Sequence, residues 1–187
     1  MTRPSTGLLV AAGQERRVPL RGRISKPIAS CCIARLLVLA TENPKLPIVT
    51  YIDSPGGSVS EALTVLSTMN GIHCPVVTFC YGQAIGPAAV IAAHGMKGFR
   101  VGAPVSRFSF KGITIPGKNS DSLEFESALA LLADILAQDV SKPKQQVLKW
   151  FKDGTQFTAQ EAVANGLIDM ISSQPVFPKT QLLSSKP

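Results

Sequence analysis

Histidine is scarce in this chain: two in 187 residues, His73 and His94. The four cysteines, Cys31, Cys32, Cys74 and Cys80, show no CxxC spacing. Together these shortages argue against a zinc site, and no metal or other cofactor is expected. The cysteines read as buried thiols rather than a disulfide framework. Aromatic residues make up only 6% of the chain, too few to interleave with basic residues as readers of single-stranded nucleic acid require. No apolar run is long enough to cross a bilayer, since Ile33 to Ala40 and Ala128 to Ala137 are short or interrupted. The apolar stretch Gly7 to Gly13 lacks a convincing cleavage site after it, so no signal peptide is expected. Neither a membrane nor a nucleic-acid partner follows, and the expected localisation is cytoplasmic.

Acidic residues are outnumbered, 12 against 19 Lys and Arg, for a formal charge of +7. The basic residues gather at Arg3, Arg16, Arg17, Arg21 and Arg23, then at Lys142, Lys144, Lys149 and Lys152. A solvated basic face, or one that meets an acidic partner, is the reading this pattern supports.

What the chain does contain is an alternation of short β-like runs with helical ones, the mark of an α/β protein of one main domain. Strands are expected at Val18–Leu20, Pro47–Ile52, Val76–Tyr81, Phe99–Val101, Ser106–Phe110 and Leu167–Ile171. Helices are expected at Ile28–Leu39, from Ser58 to Asn70, over Pro87–Ala93, from Asp121 to about Asp139, over Pro143–Phe151, and from Thr158 to Gly166. Three of them open on Ser/Asp/Thr-x-x-Glu boxes at Ser58–Glu61, Asp121–Glu124 and Thr158–Glu161. Proline at the first helical position, as in Pro87, costs little because that N–H would lack an intrahelical partner. The polar, proline-containing segment 173–187 is expected to be a mobile tail.

Three blocks carry a more specific message: Tyr51-Ile52-Asp53-Ser54-Pro55-Gly56-Gly57-Ser58-Val59, then Gly82-Gln83-Ala84, then Phe157-Thr158-Ala159-Gln160-Glu161-Ala162-Val163-Ala164-Asn165-Gly166-Leu167-Ile168-Asp169. In this order and spacing the chain resembles the ClpP peptidase family from about Val18 to Ile171. The resemblance implies a ClpP/crotonase-like fold of repeated ββα units over 18–172. It also implies a projecting handle helix within about 112–141, and a segment 1–17 standing where the family has a longer axial loop. In that family seven subunits form a ring, two rings enclose a chamber, and ATP-driven unfoldases dock on the outer face.

A serine peptidase needs a nucleophilic hydroxyl, a base, a carboxylate to orient the base, and N–H donors for the oxyanion. The position that follows Gly-Gln-Ala-Ala in the family is Gly86 here. The base position, beyond Ser106-Arg107-Phe108-Ser109-Phe110, holds Lys111, and the carboxylate position holds Gly154 with Asp153 beside it. Of the two oxyanion donors, Gly57 follows Gly56 intact, while Pro87 has no N–H to offer. The expectation is therefore a non-catalytic, ClpR-like member that contributes structure to a ring shared with an active paralogue, and that meets a Clp ATPase.

Two alternatives stand beside it. One is an ATP-dependent serine endopeptidase with a relocated nucleophile, for which Ser109 and Lys111, two apart on one strand face, would be the pair. The other is a standalone oligomeric peptide-binding module using the Gly56–Gly57 edge. Tyr51, Phe79 and Tyr81 match aromatic positions of the family's unfoldase-docking cleft, where other positions have shrunk to Gly71 and Ala103. These aromatics suit a core or subunit interface equally well.

Overall fold

Runs of β-branched and apolar residues set the strands of a parallel sheet, and the segments between them return as helices to one of its faces. The structure, a computed structural model, describes residues 16–113 and 123–177. The seven strands are β1 (Arg17–Arg21), β2 (Ile48–Ser54), β3 (Val76–Ile85), β4 (Arg100–Gly102), β5 (Arg107–Ser109), β6 (Gln156–Thr158) and β7 (Met170–Ile171). Six helices are described: α1 (Lys26–Glu42), α2 (Val59–Gly71), α3 (Pro87–Ala93), α4 (Leu123–Val140), α5 (Lys144–Asp153) and α6 (Ala159–Ala164). The main path runs β1-β2-β3-β4-β7, all parallel, while β5 joins the far end of β3 and carries β6 antiparallel to itself. This is the mixed α/β architecture expected of the ClpP fold.

One sheet face points Leu20, Ile48, Ile52, Val76 and Cys80 into a core closed by Leu36 and Leu39 of α1, Val65 and Leu66 of α2, all of α3, and Leu132 and Leu136 of α4. Emptying one such fully buried leucine to alanine costs about 2–5 kcal/mol. The opposite face carries a smaller cluster of Val49, Val77, Phe79, Val101 and Ala103, against which Tyr51, Tyr81, Val176 and Phe177 pack. The packed surface thus extends past Ser172 to Phe177, further than a tail beginning at residue 173 would allow. Residues 178–187 of that tail lie outside the described residues.

At the β1 edge the N–H groups of Arg17 and Arg21 face away from β2, and Pro19 stands between them with none. A proline and two charges blunt an edge that another strand would otherwise extend.

Several boundaries differ from the sequence reading for physical reasons. β3 continues four residues past Tyr81, because its end is paired with β5 and the Gln83 N–H donates to Asp53 Oδ1 at 3.3 Å. β5 stops at Ser109, and Lys111 lies in the turn that follows. At α2 the Ser58 hydroxyl accepts from the Glu61 N–H at 3.2 Å, but among the described residues only α6 has the full reciprocal box, between Thr158 and Glu161. The box at Asp121–Glu124, the beginning of the handle and segment 1–15 with Arg3 lie outside what is described. Cys31 is exposed, contrary to expectation, because α1 turns Cys32 rather than Cys31 toward the sheet. Arg16 is buried rather than part of a solvated face: its guanidinium donates to the carbonyls of Leu39 at 2.7 Å and Asn43 at 2.9 Å, tying down the end of α1.

Candidate functional site

The Ser54–Gly57 turn is fixed by its own side chains before any ligand is considered. Ser54 Oγ donates to the Gly22 carbonyl at 2.6 Å and accepts from the Gly56 N–H at 3.1 Å. The Ile24 N–H donates to Gly56 O at 2.7 Å, and the Ser58 N–H to Ile24 O at 2.9 Å. Gly57, at φ +148°, lies so near the Ile24 carbonyl that a Cβ would collide with it. Its N–H meets no acceptor among the described residues.

Gly56 faces the end of β3, where a Cβ would come within 2.5 Å of Ile85 O and 3.4 Å of Pro87 Cδ. The Gly86–Pro87 junction is therefore in contact with the Ser54–Gly57 turn. Gly86 holds φ +59° and ψ −127° as the N-cap of α3, a conformation that side chains resist. Its N–H donates to Ser109 O at 2.6 Å. That bond, with the pairing of β5 against β3, brings Lys111 alongside, and a Cβ at Gly86 would lie 3.5 Å from Lys111 O.

Gly154 arrives from the other side. It caps α5 in the left-handed region at φ +59°, and a Cβ there would lie 3.4 Å from Lys111 Cα. The Phe110 N–H donates to Thr155 O at 2.9 Å, which joins the end of β5 to the end of α5. Beneath this junction Phe110 stacks on Trp150 with ring centres 5.8 Å apart and tilts against Phe151 at 5.3 Å. The structure thus sets Gly86, Lys111 and Gly154 side by side, with Lys111 in the middle.

Among the described residues, the side chains that could substitute at those positions, Asp153, Ser109 and Ser58, are engaged elsewhere. Asp153 carries its carboxylate to Lys149 Nζ at 2.7 Å, one helical turn back. Ser109 is buried and its Oγ accepts from the Lys111 N–H at 3.1 Å. Lys111 is exposed in the turn, so alternation along one strand does not align the two. Ser58 is occupied as a cap and shares a hydrogen bond with Ser60 at 2.9 Å.

Tyr51, Phe79 and Tyr81 form a contiguous aromatic group on the second sheet face. Tyr51 and Phe79 meet edge to face at 5.5 Å, Tyr81 lies 6.3 Å from each, and the Arg17 guanidinium sits 5.0 Å above the Tyr51 ring. Burial raises the Tyr51 hydroxyl above its ordinary pKa, against the pull of Arg17. Ala103 belongs to this same cluster, whereas Gly71 opens to empty space.

Two polar clusters escaped the sequence reading. His94 caps α3, but it also bonds Asp139 of α4 through Nδ1 at 2.7 Å and Asn70 of α2 through Nε2 at 2.9 Å. Arg100 holds Asp169 through Nε at 2.9 Å and Nη2 at 2.6 Å. Burial alone would raise the Asp169 carboxyl, but hydrogen bonds from Arg100 and from the Gly98 N–H outweigh it and hold the group below the usual carboxylate range. Only the apolar setting of Arg100 in β4 could have signalled this pair.

Comparison with known proteins adds to this geometry. The family model described as Clp protease matches residues 6–175. ATP-dependent Clp protease proteolytic subunit 2 of Chlamydia abortus is 32% identical over 166 residues, covering 86% of this chain and 81% of its own length. The subunit 2 of Chlamydia muridarum is 33% identical over 166 residues, with coverage of 86% and 82%. Subunit 1 of Chlamydia felis is 32% identical over 166 residues, with the same two shares.

Proposed function

The chain belongs to the Clp protease family, and we propose that within it this is a non-catalytic subunit contributing wall and handle to an ATP-dependent protease ring. One observation carries the reading. At the Gly86–Pro87 junction the side chain that would attack a peptide bond and the N–H that would help hold its oxyanion are both missing. Loss of one such donor costs about 3 kcal/mol of transition-state stabilisation even where the nucleophile is present. Lys111 and Gly154, beside Gly86, leave the roles of base and orienting carboxylate unfilled.

The partners that fit this reading are an active ClpP-type paralogue, in a mixed double ring or beside homo-heptamers of this chain, and a Clp ATPase unfoldase. The aromatic group of Tyr51, Phe79 and Tyr81 is the docking surface proposed for the latter. Relocation of the nucleophile to Ser109 is disfavoured by its burial and by the bond it accepts from Lys111.

Purification of the tagged chain from its own cells, followed by mass measurement of the native assembly, tests the reading. The expected result is an oligomer that contains a second Clp-type subunit bearing the serine and histidine missing here. A chain that purifies alone as a monomer sinks the assembly role, and labelling of the pure chain by a fluorophosphonate sinks the non-catalytic one.

A further inference from the structure

The geometry points to a new use for the emptied site: we propose that it binds the carboxylate end of a peptide, with Lys111 and Lys152 as the counter-charge. The inference rests on the non-catalytic reading above and gives that site a ligand.

A cavity of about 470 Å³ lies at the junction of the β5 turn with the end of α5, lined by Lys111, Ile113, Phe151, Lys152, Asp153 and Gly154 among others. On the other side of Lys111 a second cleft of about 390 Å³ follows β5 and β6, past Ile85, Phe108 and Phe157. Lys111 therefore lines both clefts, whose walls mix polar and charged groups with the apolar side chains of Ile85, Phe157, Ile113 and Phe151. Its aliphatic stem packs beside Gly154, where a Cβ would stand at ordinary contact distance, 3.6 Å from Lys111 Cβ and 3.7 Å from Cγ.

Charge decides the ligand class. Neither the Lys111 nor the Lys152 ammonium has a partner among the described residues. The one carboxylate lining the first cavity, Asp153, is already held by Lys149 at 2.7 Å. In the second cleft the Glu161 carboxylate accepts from the Thr158 N–H at 2.8 Å and hydroxyl at 2.9 Å and keeps its negative charge, which the neighbouring Arg107 offsets. Asp153 and Glu161 are each offset by a basic neighbour, so Lys111 and Lys152 leave a net positive charge and an anion is favoured. The apolar part of those walls favours a hydrophobic group attached to the anion, which inorganic phosphate and nucleic-acid backbone lack. A peptide ending in an apolar residue supplies both, and a cut peptide bond generates such an end.

The test compares two probes on the full-length purified chain by calorimetric titration: an N-acetylated pentapeptide ending in leucine, as the free acid and as the amide. The acid is expected to bind about tenfold more tightly, which corresponds to about 1.4 kcal/mol. That preference should vanish in Lys111→Met, weaken in Lys152→Met, return in Lys111→Arg, and survive Lys45→Met on the distant α1–β2 loop. Equal binding of acid and amide, no binding at millimolar peptide, or a preference that survives both methionine variants overturns the proposal. A fluorophosphonate reaction on the same sample separates the two readings. Labelling overturns the non-catalytic assignment, whereas an unlabelled chain with no acid preference overturns the carboxylate site alone.

Discussion

Replacing Gly86 by serine restores the missing hydroxyl and tests both the conformational and the chemical argument. Gly86 sits at φ +59° and ψ −127°, and a non-glycine residue held in such a sparsely populated region costs about 1–3 kcal/mol. Contacts add little, since the new Cβ would lie 3.5 Å from Lys111 O and 3.6 Å from Ile113 Cγ1, ordinary packing distances. The penalty is therefore one of backbone conformation. For a chain of this size each kcal/mol moves the melting temperature by about 2–4 °C, so a midpoint penalty of about 2 kcal/mol lowers it by about 4–8 °C. Gly86→Ala should fall equally far, because the loss does not depend on the hydroxyl. Thermal unfolding at one fixed protein concentration gives the measurement, as any oligomer shifts its midpoint with concentration. No peptidase activity is expected in Gly86→Ser. Pro87 still withholds an oxyanion donor, worth about 10²–10³ in rate, and no general base replaces Lys111, worth about 10²–10⁴ more. Melting at the wild-type temperature would refute the conformational argument, and turnover of a fluorogenic peptide would refute the chemical one.

Four further outcomes follow from named residues. Asp169→Asn strands the buried Arg100 guanidinium and should cost roughly 3 kcal/mol in chemical denaturation; a loss too small to measure would show that the pair is merely tolerated. The folded pKa of Asp169 is depressed, so its stabilisation is complete above the ordinary carboxylate pKa of about 3.9 and is lost as the pH falls through the lower folded value. The wild type should accordingly lose part of its advantage over Asp169→Asn in acid titration below about pH 4, and an advantage unchanged by acid would contradict that assignment. Cys31 is exposed, while burial pushes the Cys32 and Cys80 thiols up to about 12 and also raises Cys74; iodoacetamide at neutral pH should add one adduct to the native chain, at Cys31, and a second would show that the core opens. Ser141 ends α4 at φ +54°, so Ser141→Gly should raise stability by about 1 kcal/mol, and a lower melting temperature would refute that reading.

The sequence was most legible where local chemistry and global fold agree. Ser58 and Thr158 stand where capping hydroxyls are needed, and the paired glycines at 56 and 57 mark a turn that no Cβ would fit. Legibility failed where tertiary contacts overrode local pattern. Gly82-Gln83-Ala84 carries no strand signature, yet β3 runs through it because Asp53 takes the Gln83 N–H and β5 pairs alongside. Arg16 reads as one charge among several until α1 ends with its Leu39 and Asn43 carbonyls facing the guanidinium. The two sides of the candidate site, Lys111 and Gly154, are 43 positions apart (154 less 111), and their contact depends on the Phe110–Thr155 bond, which no sequence periodicity encodes.

Two of the three adjacent site positions are glycines with positive φ, Gly86 and Gly154, both at +59°. In a hydrolase the first would bear a serine under backbone strain and the second a side chain in the left-handed region. Glycine relieves that strain at both places, by about 1–3 kcal/mol at the elbow and about 1 kcal/mol at the helix cap. The exchange of side chain for glycine therefore has a physical return that does not depend on chemistry: the elbow keeps its shape and becomes easier to hold. Pro87 follows the same logic, since it gives up an N–H that only an oxyanion would use while fixing the first turn of α3. On the non-catalytic reading proposed above, the changes at Gly86, Pro87 and Gly154 move toward stability and away from turnover, which is the pattern expected of a subunit retained for the surface it presents.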